Sequence, residues 1–228
     1  MAVEVTDRLK SAAGIGMTSQ RTRARMIERL REKGIRDERV LAAMAAVPRH
    51  LFVEEALASR AYEDSALPIG HGQTISQPYV VARMIEALIE NRPAKKVLEV
   101  GTGCGYQAAV LAQVFEEVYS VERIKGLLER ARRNLLGLRL ANLRLAHGDG
   151  HAGLEKAAPF EAIIVAAAAR SVPDALLRQL ASGGRMILPL HAAHGGAQRL
   201  VLIERSGRGY VESELDAVRF VPMEAGKA

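Results

Sequence analysis

Tryptophan is absent from this chain, and cysteine occurs once, as Cys104. One cysteine excludes an intramolecular disulfide and any zinc site built on several thiolates. Aromatic residues make up 4% of the chain, which leaves little for stacking on nucleic-acid bases. No apolar run approaches the roughly 20 residues that a membrane helix needs. The opening stretch, MAVEVTDRLKSAAGIG, carries charges where a signal peptide needs its apolar segment. These absences lead to the expectation of a cytoplasmic protein without a membrane partner.

What is present is ordinary for a folded protein. The 228 residues are 49% hydrophobic and 25% charged, enough for one core or a core with a smaller attachment. The formal charge of +6 permits attraction to acidic partners or nucleic acid. The arginines, however, are spread out. Arg21, Arg23 and Arg25, then Arg130, Arg132 and Arg133, lie in helix-like sequence among acids. We read both groups as solvated helix faces and expect a monomer with no nucleic-acid partner.

The first part of the chain has helical spacing. SQRTRARMIERLREKG places Met26, Ile27 and Leu30 on one side and ends at Gly34, a suitable C-cap. RDERVLAAMAAVP repeats the pattern with Val40, Leu41, Met44 and Val47 and stops at Pro48. A loop, LPIGHGQTISQP, precedes a third helix that starts at Pro78 and ends near Pro93.

From Lys96 the character changes to strands alternating with helices. KVLEV, EEVYSVE, NLRLAH, FEAIIV and RMILPL read as strands. FEAIIVAAAA is almost wholly apolar, as suits a central parallel strand buried on both faces. VPDALLRQLASGG reads as a helix stopping at Gly183 and Gly184, while QRLVLIERS and the region around VRFVP read as closing strands. The pattern predicts an α/β, doubly wound, mostly parallel Rossmann-like sheet. Its ligand belongs at the carboxyl ends of the strands. We divide the chain into a helical part with the loop, residues 1–95, and a ligand-binding α/β domain, residues 96–228.

EVGTGCGY sets Gly101, Gly103 and Gly105 at alternate positions after the first strand, with Thr102 between them. Glycines there allow a tight turn and close approach of a ligand. A dinucleotide loop has its third glycine one residue later, where this chain has Tyr106. Three acids mark three successive strand ends: Glu99, Glu122 and Asp149, the last followed by Gly150. Glu122 is placed to accept both hydroxyls of a ribose, with a solvated strand end as its plain alternative. Asp149 is placed to accept the exocyclic amine of adenine. Acids so arranged repel phosphate and suit ribose, adenine and a cation, and S-adenosylmethionine has all three.

These stretches resemble the protein-L-isoaspartate O-methyltransferase family. VLEVGTGCGYQAAVLA and AYEDSALPIGHGQTISQPYVVARMIEAL carry the likeness, which continues through VPRHLFV, SVER, GDG, FEAIIVAAAA, LLRQLASGGRMILPL and VRFVP. It spans residues 35 to 223. GQTISQP is specific to that family, whereas EVGTGCG is shared by many methyltransferases. The resemblance implies methyl transfer from S-adenosyl-L-methionine to the α-carboxyl of L-isoaspartyl residues in damaged proteins and peptides. The product cofactor is S-adenosyl-L-homocysteine, and the ester closes to a succinimide that reopens in part to aspartate. No metal is implied.

The resemblance places Ser76 as the active-site serine. Physically its hydroxyl could orient the substrate carboxylate, or it could cap the helix that starts at Pro78. No GxSxG elbow surrounds it, so it is not read as a covalent nucleophile. Thr74, Ile75 and Gln77 are expected at the cofactor boundary. Leu67, Pro68, Ile69, Gly70 and Val221 are expected to bind the substrate. The chain departs from the family at Ala166, where threonine is frequent, at Arg170, where proline is usual, and at Met223, where leucine is common. Residues 1–17 lie outside the resemblance.

Other residues have plain readings. Cys104 fills space in the glycine loop. His191 and His194 lack a third nearby ligand and read as a polar loop. His71 suits a surface turn or a substrate contact. Two competing functions use the same cofactor half: a methyltransferase for RNA or a small molecule, and a non-catalytic adenosine- or nucleic-acid-binding module.

Overall fold

A computed structural model describes residues 14–93, 95–192 and 197–228. Near the N-terminus, α1 (Gln20–Glu32) is capped by the Ser19 hydroxyl, which accepts the Thr22 amide at 3.4 Å. It buries Met26 and Leu30 and ends before Gly34, whose φ is +102°. A β-carbon is disfavoured in that left-handed conformation, so glycine stops the helix there. The next helix, α2 (Glu38–Ala46), starts at Asp37, whose carboxylate accepts the Arg39 amide at 2.9 Å.

The segment LPIGHGQTISQP, read as a loop, contains a hairpin. Strands β1 (Leu67–Gly70) and β2 (Gln73–Ile75) pair antiparallel. His71 and Gly72 turn between them with φ of +54° and +68°, the double positive φ of a turn that follows strand twist. Then α3 (Pro78–Ile89) begins with proline in its first turn. Its N-cap is Gln77, not Ser76, and no side chain of the cap residue bonds the helix. The cap comes from elsewhere: Asp64 Oδ1 accepts the Tyr79 amide at 2.9 Å. The capping role suggested for Ser76 is therefore taken by Asp64.

The main sheet has β3 (Lys96–Val100), β4 (Glu117–Glu122), β5 (Leu143–His147), β6 (Phe160–Val165), β7 (Leu180–His191), β8 (Gln198–Ser206) and β9 (Gly209–Val218) in spatial order 5-4-3-6-7-8-9. Strands β3 to β7 are parallel, and β8 and β9 close the edge antiparallel. The connecting helices are α4 (Tyr106–Val114), α5 (Lys125–Leu135) and α6 (Asp174–Gln179). The order of strand addition reverses beside β3, because β4 lies on one side of it and β6 on the other, all three parallel. The carboxyl ends of these strands flank a crevice, where doubly wound sheets bind ligands.

Two expected boundaries move. The helix read through Gly183 and Gly184 ends at Gln179, and β7 runs from Leu180 through both glycines. Leu180 is fully buried opposite Phe160, and the register jumps so that Arg185 faces Ala162. The glycines form the bulge that absorbs the extra residues. The closing strand also lies earlier than VRFVP. It ends at Val218, and Pro222 contributes one isolated bridge to Ala168.

One hydrophobic cluster joins α1 to α3 with the sheet, from Met26 and Met44 through Tyr106 and Leu111 to Ile187 and Leu200. Tyr106 Oη donates to Met44 Sδ at 3.5 Å, across the boundary at residue 95. Arg49 is fully buried in this region. Its Nε donates to the Ala61 carbonyl at 2.8 Å, and its guanidinium lies 4.8 Å from the Tyr106 ring centroid. Burial pushes its pKa down, while the Tyr106 ring side of the pocket opposes that shift. Among the described residues no helix is long and apolar enough to cross a membrane.

Candidate active site

The glycine loop follows from strand register and one helix. Gly101 donates its amide to the Val121 carbonyl at 2.9 Å, which ties the end of β3 to β4. Gly103 has φ of +55°, and a β-carbon there would lie 3.2 Å from Ile69 Cδ1 of the hairpin. The loop and the hairpin therefore close on one another where only glycine fits without displacement. Asn134 of α5 holds the loop from behind, donating to the Cys104 carbonyl at 2.9 Å.

Two neighbouring cavities open above the sheet. The first contains about 850 Å³ of empty space, open to solvent, and the second about 1030 Å³. Gly101, Thr102, Gly103, Glu122 and Gly150 line the first, with Ile69, Thr74, Ile75 and Ser76 from the hairpin region. The second is bounded by Thr74, Ser76, Gln77 and the segment Ala217 to Val221. Thr74, Ser76, Ala166 and Val221 border both. The Ser76 hydroxyl has no hydrogen-bond partner among the described residues, so it is available to a ligand at the junction.

The three strand-end acids occupy different places. Glu122 faces the first cavity, and its carboxylate is fixed by two backbone amides, Gly103 at 2.8 Å and Ile124 at 2.9 Å. Each oxygen keeps a second lone pair for a ribose hydroxyl. Glu99 does not border either cavity. It is fully buried beneath the loop, and the sheet register sets it opposite Ser120, whose hydroxyl donates to it. Ser120 is in turn 2.5 Å from the Thr102 hydroxyl. Burial pushes the Glu99 pKa up to about 8, with the nearby Glu122 charge adding to it and the Ser120 and Gln107 side chains opposing it. Asp149 also stands outside both cavities. Its Oδ1 accepts the His151 amide at 2.9 Å and its Oδ2 the Gly226 amide at 2.7 Å. Burial works against ionisation there, but the Gly226 and His151 amides outweigh it and hold the pKa below the ordinary value.

The remaining expected residues sort by position. Gly105 touches neither cavity; it packs on α5, where a β-carbon would lie 3.0 Å from Leu135 Cδ1. Gln77 borders the second cavity and not the first. Of the substrate set, Val221 borders both cavities and Ile69 only the first. Leu67 is in the core, while Pro68 and Gly70 face solvent. Arg170 is exposed and borders neither cavity.

Sequence reasoning missed several lining residues. Met223 and Glu224 close the first cavity, held by the Met223 amide donating to the Ala168 carbonyl at 2.8 Å. No local signal marks them, because they arrive through a long-range bridge. Gln107 also lines the first cavity, is 8% exposed, and has both amide atoms unpartnered. A glutamine near the start of an apolar helix was the available sign. Cys104 is buried, free and part of the cavity wall. His191 ends β7, while His194 lies outside the described residues. Among the described residues no group of three or more His, Cys, Asp or Glu could hold a metal ion.

A family model described as protein-L-isoaspartate(D-aspartate) O-methyltransferase matches residues 21–228. A protein-L-isoaspartate O-methyltransferase from Dechloromonas aromatica is 67% identical over 214 residues, covering 93% of this chain and 98% of that one. Another, from Methylobacillus flagellatus, is 60% identical over 224 residues, covering 96% and 99%. Among solved structures, a protein-L-isoaspartate O-methyltransferase superposes with a TM-score of 0.81 at 29% identity, over 89% of this chain and 66% of that one. A Plasmodium falciparum protein described as a beta-aspartate methyltransferase, in complex with S-adenosyl-L-homocysteine, gives 0.74 at 27% identity, over 89% and 98%.

Proposed function

This chain belongs to the protein-L-isoaspartate(D-aspartate) O-methyltransferase family, and we propose that it methylates the α-carboxyl of L-isoaspartyl residues in damaged proteins and peptides. The neighbouring backbone amide nitrogen then attacks the ester and expels methanol, closing a succinimide through which repair proceeds. S-adenosylmethionine, when bound, supplies an electrophilic methyl group on a sulfonium. The first cavity suits it: it opens at the carboxyl ends of the strands beside the glycine loop, and Glu122 is a fixed carboxylate for the ribose. Gly101, Thr102 and Gly103 expose backbone and a small side chain to the ligand.

The substrate carboxyl ionises well below neutral pH, near 3.5 to 4 in free form. The chain therefore needs no general base. Its task is alignment and exclusion of water. Ser76 carries this reading, because its unpartnered hydroxyl stands where the two cavities meet. It donates to one carboxylate oxygen and leaves the other directed at the methyl. Thr74 and Val221 bound the same junction and confine the peptide.

The test uses methyl-labelled cofactor with an isoaspartyl peptide, its aspartyl twin and RNA. Label is expected in the isoaspartyl peptide alone; label in RNA alone, or equally in both peptides, would overturn the reading. Ser76→Ala should lower kcat/KM for the isoaspartyl peptide about 10- to 100-fold, the effect of losing a hydrogen bond to a charged group. An unchanged value would remove Ser76 from the mechanism.

A further inference from the structure

The arginines of α5 do not form one solvated face. Arg132 and Arg133 are exposed, but Arg130 turns inward. Its Nη1 donates to the Ile69 carbonyl of β1 at 2.8 Å. The same nitrogen lies 3.6 Å from the Glu54 carboxylate, an exposed partner. Positions four residues either side of Arg130 share its face of the helix. Gly126 is one: a β-carbon there would lie 2.9 Å from Nε2 of His71, so the hairpin tip rests on the first turn of α5. Asn134 is the other, and it holds the glycine loop through the Cys104 carbonyl. One helical stripe thus touches both walls of the first cavity.

We propose that Gly126, Arg130 and Asn134 form a latch that keeps the hairpin closed over the cofactor cavity, with Arg130 as a positioning residue for Thr74 and Ser76. The proposal rests on the methyltransferase reading and extends it. Ile69 belongs to β1, and β1 pairs with β2 so that Pro68 faces Thr74. Fixing the Ile69 carbonyl therefore fixes the strand that leads to Ser76. Ile69, Gln73, Thr74 and Ile75 all face the cofactor cavity. Lifting the hairpin widens the mouth of that cavity and breaks the Arg130 bond, so the latch slows release of S-adenosyl-L-homocysteine. Glu54 serves only to balance the guanidinium charge, since exposed ion pairs at such distances contribute little.

The experiment follows dissociation of labelled S-adenosyl-L-homocysteine in a chase with unlabelled ligand. Arg130→Ala should speed release about tenfold, the scale of one charged hydrogen bond, and lower kcat on the isoaspartyl peptide by a similar factor. Arg130→Lys, which keeps a donor, should recover part of both. Glu54→Ala should leave the release rate within twofold of the parent. Hydrogen exchange on the ligand-free protein provides a second readout: Arg130→Ala should raise exchange at Leu67–Ile75 and leave β3 and β6 protected. Release within twofold of the parent in Arg130→Ala, or exchange raised equally across the sheet, would overturn the latch. The release and exchange readouts do not use the methyl acceptor, so they remain decisive if isoaspartyl peptides prove not to be the substrate.

Discussion

Glu99 shows how a single residue can serve the site without touching it. Its carboxyl is fully buried, with one oxygen bonded by Ser120 and the other unpartnered. Its pKa rises from 4.5 to about 8. A raised acid takes up a proton on folding at pH values between those two, so the folded state loses stability as pH rises through that window. Glu99→Gln removes this titration. Thermal unfolding from pH 5 to pH 8 should show the melting temperature of the variant rising relative to the parent toward pH 8. Parallel curves over that range would contradict the buried, protonated carboxyl. Sequence position alone suggested a cofactor contact for this acid. Burial is set by what packs above it, which the local sequence does not contain.

At the scale of elements, the glycine loop depends on α5 as much as on its own residues. Gly105 has φ of +92° and sits against Leu135 and Ala131. Gly105→Ala should destabilise the protein by about 1–3 kcal/mol, from left-handed strain and crowding together. Urea unfolding would register this as a lower midpoint with unchanged slope; an unchanged midpoint would show that the contact is easily relieved. Elements with strong periodicity were legible in the sequence: α1, α2 and α3 fall where Met26, Leu41 and Pro78 place them. The boundary of α6 was not. Local preference extends the helix to the glycines, but pairing of Leu180 with Phe160 claims the chain for β7. The hairpin was hidden for a related reason, since three- and four-residue strands are too short to show alternation.

At the scale of the whole molecule, the helical part and the sheet share one core. Met44 is fully buried and meets Tyr106 of α4. We propose that the two parts unfold together. Met44→Ala should cost about 2–5 kcal/mol and shift a single transition to lower denaturant. Tyrosine fluorescence and far-ultraviolet circular dichroism should coincide. Two separated transitions would instead mark residues 1–95 as an independent unit. The hairpin belongs to residues 1–95, yet it rests on the glycine loop and α5 of the sheet domain, so its position depends on how the two parts pack.

The sequence by itself determined the strand–helix alternation, the glycine loop, and the places of Glu122 at a strand end and Ser76 just ahead of a helix. Each is a local pattern whose chemistry travels with adjacent residues. The tertiary structure decided which of those residues face the cavities. It withdrew Glu99 and Gly105 into the packing and tied Asp149 to the amide of Gly226. It brought Gln107, Met223 and Glu224 to the cavity and turned Arg130 from a presumed surface charge into a contact with the hairpin. The physical reason is the same throughout. Side-chain type is local, but burial and hydrogen-bond partners are assigned by segments far apart in the chain.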